Sequence, residues 1–301
     1  MDFSALINAS AVWLNDHFDA VVVALATTAL LMEWVGRTIR RSGDGAAMAK
    51  PNWLRAWFVN CALLGWAFLT SWTLATWLEP ALSQALESRA GLLVWLKLSA
   101  NSYVTYVVLG VLLLDLINYA VHRFMHAVPL LWRLHRVHHS DVDMNASTHF
   151  RQHPLQLVAA LLLQLPLLWL LGISGVSWVL YAAASVAIQL WQHADLAQSP
   201  RLERWLDWAL VTPSMHRVHH DQRRQFHDTN YGALFPIWDR LLGTYAAALP
   251  HVRLGLPRQD GKSPTSPISL TDCLWMPFQS SPKPAAKAGL LKFKTNLQEK
   301  K

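Results

Sequence analysis

The pentad His-Arg-Val-His-His occurs twice in this chain, at 135–139 and 216–220, and His122-Arg-Phe-Met-His126 precedes both. Any fold has to accommodate eight imidazoles gathered in three short blocks. In a helix, residues i, i+3 and i+4 share one face. His122 and His126 therefore project together, and His135, His138 and His139 fall within an arc of about 100°. His216, His219 and His220 repeat that arc. A single HxxH reads equally well as two surface or core histidines. Three such blocks would leave many polar nitrogens to be satisfied separately. They point instead to a multinuclear metal site, because neutral imidazole binds iron, copper, zinc and nickel.

Apolar runs surround the blocks. Hydrophobic residues make up 53% of the 301 and charged residues 15%, with apolar runs at about 20–36, 56–78, 103–121, 154–172 and 173–191. Several are long enough to cross a hydrocarbon core of about 30 Å. The length and near absence of charge of 154–191 argue against buried helices of a soluble all-α protein. The 16 tryptophans favour membrane interfaces. No Lys or Arg opens the chain and no cleavage-type site follows a short apolar core, so the first span is expected to be retained. Cys61 and Cys273 suggest neither a disulfide framework nor a CxxC metal site.

Charge bias orients the spans. Asp2, Asp16 and Asp19 precede the first, and Arg37, Arg40, Arg41, Lys50 and Arg55 follow it. Arg123, Arg133, Arg136 and Arg151 follow the third. The positive-inside rule then puts the N-terminus outside and the 37–55 and histidine loops in the cytoplasm. Pro154 to Leu171 runs out, 172–175 turns, and Val176 to Trp191 returns, so 193–245 reaches the side of 122–153 and all three blocks can meet.

Gln189 and His193 form a further i, i+4 pair at the inner end of the last span, which makes His193 another ligand candidate. His153 is kept as a ligand or near-site residue, although Pro154 disfavours helical geometry there. His149 ranks below it, and His17 and His251 are read as incidental. Residues 201–210 suggest an amphipathic helix with Leu202, Trp205, Leu206 and Ala209 on one face, lying on the inner interface or packed against the catalytic region. Residues 80–98 suggest an outer interfacial helix or a partial re-entrant segment. The prolines between 250 and 284 suggest a flexible tail. Its basic end, from Lys287, could touch anionic lipid or simply solubilise. No nucleic-acid motif is present, and the net charge of +7 is accounted for by topology.

The blocks and their surroundings resemble the fatty acid hydroxylase / sterol desaturase superfamily. The resemblance rests on Asp115-Leu-Ile-Asn-Tyr119-Ala-Val-His122-Arg-Phe-Met-His126, on Trp132-Arg-Leu-His135-Arg-Val-His138-His139-Ser140, and on Thr148-His-Phe-Arg151-Gln-His153-Pro154. It continues through Met215-His216-Arg-Val-His219-His220 to Asn230-Tyr231-Gly232 and Trp238-Asp239-Arg240. It covers about 100–247. It implies an all-α polytopic membrane bundle with a cytosolic, histidine-rich cap holding two iron ions, with zinc a possible substitute. The implied reaction is O2-dependent hydroxylation or desaturation of a lipid C–H bond. The implied ligands are His122, His126, His135, His138, His139, His193, His216, His219 and His220. Some members carry two histidines where this chain has Gln189 and His193, so water, His153 or His227 would complete the shell. The division expected is a transmembrane region at 1–99, a catalytic domain at 100–247 and a basic tail at 248–301.

Asp115 and Tyr119 lie about two turns and one turn before His122. Asp115 could accept an N–H from a ligand histidine and fix its tautomer, or pair with an arginine. No haem, flavin or Rossmann signature is visible, so an external electron donor is implied, a cytochrome b5-type protein or a ferredoxin with its reductase. A metal transporter would line ligands along the spans, and a mononuclear catalytic zinc usually takes three protein ligands and water. These remain the competing readings. The expected setting is a bacterial inner membrane rather than endoplasmic reticulum.

Overall fold

The computed structural model describes residues 3–43, 53–87, 91–97, 102–196, 199–256 and 269–279, and these contain helices and no strand. Four long helices come first: α1 (Phe3–Asp16), α2 (Phe18–Gly43) and α3 (Trp53–Glu87), then, after the single turn α4 (Leu92–Trp95), α5 (Tyr103–Ala127). α6 (Pro129–His135) leads into short 3-10 turns at His138–Ser140 and Ala146–Phe150. The hairpin α7 (Pro154–Leu171) and α8 (Gly175–His193) follows. Short helices complete the chain: α9 (Pro200–Leu206), α10 (Pro213–His219), α11 (Arg224–His227), α12 (Ile237–Leu241) and α13 (Leu270–Trp275).

Phe18–Gly36, Arg55–Leu74, Tyr103–Ala127 and Pro154–Leu171 are long and apolar enough to cross a bilayer. Their outer faces expose Phe58, Leu69, Trp72 and Leu170, as lipid contact requires. The fifth expected span is a helix of 19 residues but is not among these four. The reason is composition: Ser177, Ser185, Gln189, Gln192 and His193 lower the mean hydropathy of this helix. α8 packs against α1, α2, α5, α10 and the Ala146–Phe150 turn. Its polar groups find partners there: Ser177 Oγ donates to Val107 O at 3.2 Å, and the Gln192 amide to Ala233 O at 2.6 Å.

The segment expected at the outer interface divides differently. α3 continues through Pro80 to Glu87, and Leu93 of α4 joins the core of α5, α7 and α8. Gly91 makes that approach possible. Its φ is +117°, and a Cβ there would lie 2.4 Å from the Gly172 nitrogen. Elsewhere local chemistry sets the boundaries. Prolines open α6, α7, α9 and α10 at the first turn. Ser174 Oγ accepts from Ser177 N at 3.1 Å, and Gly172 closes α7 in the left-handed region.

Two buried carboxylates fasten loops to spans. Asp115 of α5 accepts from Leu234 N (2.9 Å), Phe235 N (3.1 Å), Trp238 Nε1 (2.8 Å) and the Tyr181 hydroxyl (3.3 Å). Glu33 of α2 accepts from Ala146 N (2.8 Å) and Asp195 N (2.6 Å). Arg151 is fully buried and donates to Val137 O, Ser140 Oγ, Asn60 Oδ1 and Cys273 Sγ at 2.9–3.2 Å.

The expected flexible tail is folded over 269–279. Cys273 is fully buried against Val59, Leu63 and Val137, and Arg136 donates to the carbonyls of Met276 and Gln279. The rest of that expectation, at 257–268 and from 280 onward, lies outside the described residues. α9 is shorter than expected and leaves Leu202 and Trp205 exposed.

Candidate metal centre

The nine histidines singled out by spacing converge into two groups. His122, His126, His135, His139 and His219 form one, and His138, His193, His216 and His220 the other. Within each, one ring nitrogen per residue lies within 4.8 Å of all the others. The groups abut, with the His139 and His220 rings stacked 4.6 Å apart. Helix phase explains the assignment. α5 ends on His122 and His126, α6 on His135, α8 on His193, and α10 carries His216 and His219. His138 and His139 sit in the 3-10 turn that ends the first pentad.

The contacts inside the groups are not hydrogen bonds in the ordinary sense. His122 Nε2 lies 3.1 Å from His135 Nε2, and His139 Nε2 lies 3.3 Å from the same atom. In the other group His216 Nε2 is 3.0 Å from His193 Nε2, His220 Nε2 is 3.2 Å from His216 Nε2, and His193 Nε2 is 3.2 Å from His138 Nε2. A neutral imidazole has one donor nitrogen and one acceptor nitrogen. His122 Nδ1 donates to Tyr231 O (2.9 Å), His219 Nδ1 to Thr229 O (2.8 Å) and His193 Nδ1 to Gln189 O (2.7 Å). These bonds place the proton on Nδ1 and turn the Nε2 lone pair inward. Converging lone pairs repel unless a cation lies between them. Metal–nitrogen bonds of about 2.0–2.1 Å put neighbouring donor nitrogens about 3.0–3.4 Å apart. The buried Nε2 atoms of His126 and His219 lack any hydrogen-bond partner, as metal-facing atoms should. The donor set therefore fits metal ions.

Burial, followed by neighbouring imidazoles, holds the pKa of His138, His139, His216 and His220 well below the ordinary 6.5. Burial does the same for His135 and His219. These rings are neutral at pH 7, the form that ligates.

The 229–232 loop supplies two of the orienting carbonyls and is itself tightly held. Asn230, at φ +52°, donates to Met215 O and Ala246 O at 2.9 Å and accepts from Ala246 N at 2.8 Å. Asp239 accepts from Tyr231 N and Gly232 N, both at 2.8 Å, and from Thr244 Oγ1 at 2.7 Å. A Cβ at Gly232 would lie 2.7 Å from Phe235 O, so only glycine fits that turn.

The structure corrects the role expected of Asp115. Its four hydrogen-bond partners include no histidine or arginine, because the 234–238 segment occupies both oxygens. Tyr119 reaches the site indirectly. Its hydroxyl lies 2.8 Å from Thr244 Oγ1, and its ring meets Tyr231 edge-on. His153 lies apart from both groups. Its Nδ1 accepts from Leu155 N at 3.2 Å, opening α7, and its Nε2 donates to Leu274 O at 3.3 Å. His227 stacks on Trp132 and stands 5.8 Å from His126. Asp228 beside it places an oxygen 3.5 Å from His126 Nδ1. The His149 ring stands outside both groups, 6.1 Å from that of His193. Sequence reasoning missed Glu33, which no local motif marks.

Residues 107–244 match the fatty acid hydroxylase family model. This histidine-bearing part of the chain is thus similar to that family. The chain is 35% identical over 138 residues to human alkylglycerol monooxygenase, an overlap of 46% of this chain and 30% of the relative. It is 34% identical over 142 residues to the ornithine lipid hydroxylase OlsE of Rhizobium tropici, covering 46% of this chain and 41% of the relative. It is 25% identical over 135 residues to human lathosterol oxidase, covering 44% and 42%. The chain thus spans well under half the length of these relatives. No solved structure matches it. Family and apolar helices together make it an integral membrane protein.

Proposed function

We propose that this chain is a membrane lipid oxygenase that holds two iron ions in its two histidine groups and hydroxylates or desaturates a C–H site of a sterol, fatty acyl chain or related lipid. The observation that carries the reading is the pair of abutting, all-imidazole groups with converging Nε2 atoms at the ends of apolar helices. Matched relatives named as a monooxygenase of alkylglycerol and a hydroxylase of ornithine lipid support the lipid assignment. Five imidazoles in one group exceed the three that a mononuclear catalytic zinc takes, which weighs against a zinc hydrolase.

Two irons, when bound, would supply the O2 reduction and C–H oxidation that no side chain can perform. The residues of the chain have other tasks. Tyr231 O, Thr229 O and Gln189 O hold three rings with Nε2 facing inward. Burial keeps the histidines unprotonated. Asp115 and Glu33 anchor the surrounding loops to the spans, which keeps the site shielded from water. The lipid would enter laterally from the bilayer. Electrons would come from an external donor, a cytochrome b5-type protein or a ferredoxin with its reductase. We place the histidine groups on the cytoplasmic side of a bacterial inner membrane from the charge bias, with 1–99 as a transmembrane region, 100–247 as the catalytic domain and 248–301 as a basic tail that is folded at 269–279.

Metal analysis of the purified protein with a lipid-extract assay under 18O2 tests this. The expected result is about two irons per chain, as two distinct groups require, with 18O in a lipid product. Unsaturation without label would select desaturation. Tightly bound zinc with no O2 dependence after anaerobic iron reconstitution would overturn the reading.

A further inference from the structure

We infer that His149 is a fifth ligand of the four-histidine group, closing the gap left by Gln189. The inference rests on the metal-bearing reading above and concerns one residue of this chain.

α5 offers two histidines four apart to its group, His122 and His126. At the corresponding end of α8, Gln189 and His193 are four apart, and only His193 ligates. The Gln189 side chain donates to Ser185 Oγ and its carbonyl accepts from His193 Nδ1, so the residue is engaged away from the group. His149 stands near His193. Its ring is 6.1 Å from the His193 ring, tilted by 49°. Ring pairs within the group are 4.4–5.1 Å apart. Against the His193 ring the shortfall is about 1.0–1.7 Å, within reach of a side-chain rotation.

The surroundings of His149 leave its imidazole without another task. Its Nδ1 is sealed from solvent and meets no hydrogen-bond partner. The turn that carries it is fixed by others. Asn145 Oδ1 accepts from Ser147 N at 3.0 Å, and Thr148 Oγ1 accepts from Asn145 N at 3.0 Å. Glu33 accepts from Ala146 N at 2.8 Å, and Arg151 is bound on the far side. A buried ring nitrogen without a partner loses its hydration for nothing unless something binds it. The electron pair of His149, beside the group with fewer ligands, is what a metal ion there would take up. Five imidazoles would then serve each ion.

Full-length protein in detergent, loaded anaerobically with Co2+ alone, tests the assignment through the visible spectrum, which strengthens as coordination number falls. In His149→Ala, the band of one of the two cobalt ions is expected to intensify severalfold and that ion to dissociate at least about tenfold faster into a chelator. His149→Cys carries the test even if the alanine variant folds poorly. A thiolate-to-cobalt charge-transfer band, missing from the wild type with its Cys61 and Cys273, is expected. Unchanged bands and release in His149→Ala, or no charge-transfer band in His149→Cys while two cobalt ions remain bound, would overturn the inference. Failure of the wild type to take up cobalt would instead overturn the metal-bearing reading, and this inference with it.

Discussion

The five-histidine group takes the first and fifth residues of the first pentad and the fourth residue of the second, whereas the four-histidine group takes the first and fifth of the second pentad and the fourth of the first. The pentads thus exchange their middle ligands, His138 and His219. Up to that point the groups are equivalent, with three imidazoles each. They differ in what the long helices add. α5 brings His122 and His126, while α8 brings His193 alone. They differ also in support. The five-histidine group leans on two carbonyls of the pinned 229–232 loop, and the four-histidine group on one carbonyl from within α8. The exchange couples the two groups, so neither pentad moves alone. The helix ligands are what one group can gain or lose independently.

The largest expected effect comes from the exchanged residues. His138→Ala should weaken the ion of the second pentad, and His219→Ala that of the first, each lowering product formation more than about 100-fold, beyond the loss typical of outer partners. Mössbauer spectra of the iron-loaded variants would show which ion is perturbed. If His138→Ala and His135→Ala deplete the same ion, the exchange is wrong.

Next in size is Asn230→Ala. It frees the carbonyls that hold His122 and His219, and should cost about 10–100-fold in affinity at the five-histidine group alone. Equal loss at both ions, followed by competitive chelation, would erase the contrast in support.

Acid should affect the two groups alike. The pentad histidines have folded-state pKa values lowered by burial, so below the ordinary 6.5 the unfolded chain binds more protons than the folded one. Stability of the metal-free protein should be flat above pH 6.5 and fall as pH drops through that value. Thermal melting across about pH 5–8 checks the sign. A melting temperature that rises on acidification would contradict neutral, buried rings.

Two structural residues should leave the metal content intact. Asp115→Asn weakens charge-assisted bonds to the 234–238 segment and should cost about 1–3 kcal/mol. His153→Ala removes the residue that opens α7 and should cost about 1 kcal/mol. Chemical denaturation measures both, and loss of an ion from His153→Ala would return it to the ligand set.

Much of the site was legible because i, i+3 and i+4 spacing fixes which side chains share a face, and the runs around His122 and Pro154 are plainly helical. Spacing cannot show what meets a face from afar. The sequence offers Asp115 a ligand histidine or an arginine as partner, but its four partners lie 66 to 123 positions away, and two of them are backbone amides, which carry no sequence signal. His153 is a ligand candidate by spacing, but the fold uses it to start a helix, a role that Pro154 right after it allows. α8 reads as a span from its length and lack of charge, and only its packing shows how Ser177 and Gln192 are satisfied.

Glu33 and Asn60 belong to helices outside the stretch that matches the family, yet they bind Ala146 and Asp195 in one case and Arg151 and Ser147 in the other. The oxygenase module is therefore not portable. A chimera that grafts 107–244 onto foreign anchoring helices would leave two backbone amides and a buried guanidinium short of their acceptors, in the loops that set the geometry of the histidines. Swaps between such proteins should succeed only when the first helices travel with the domain.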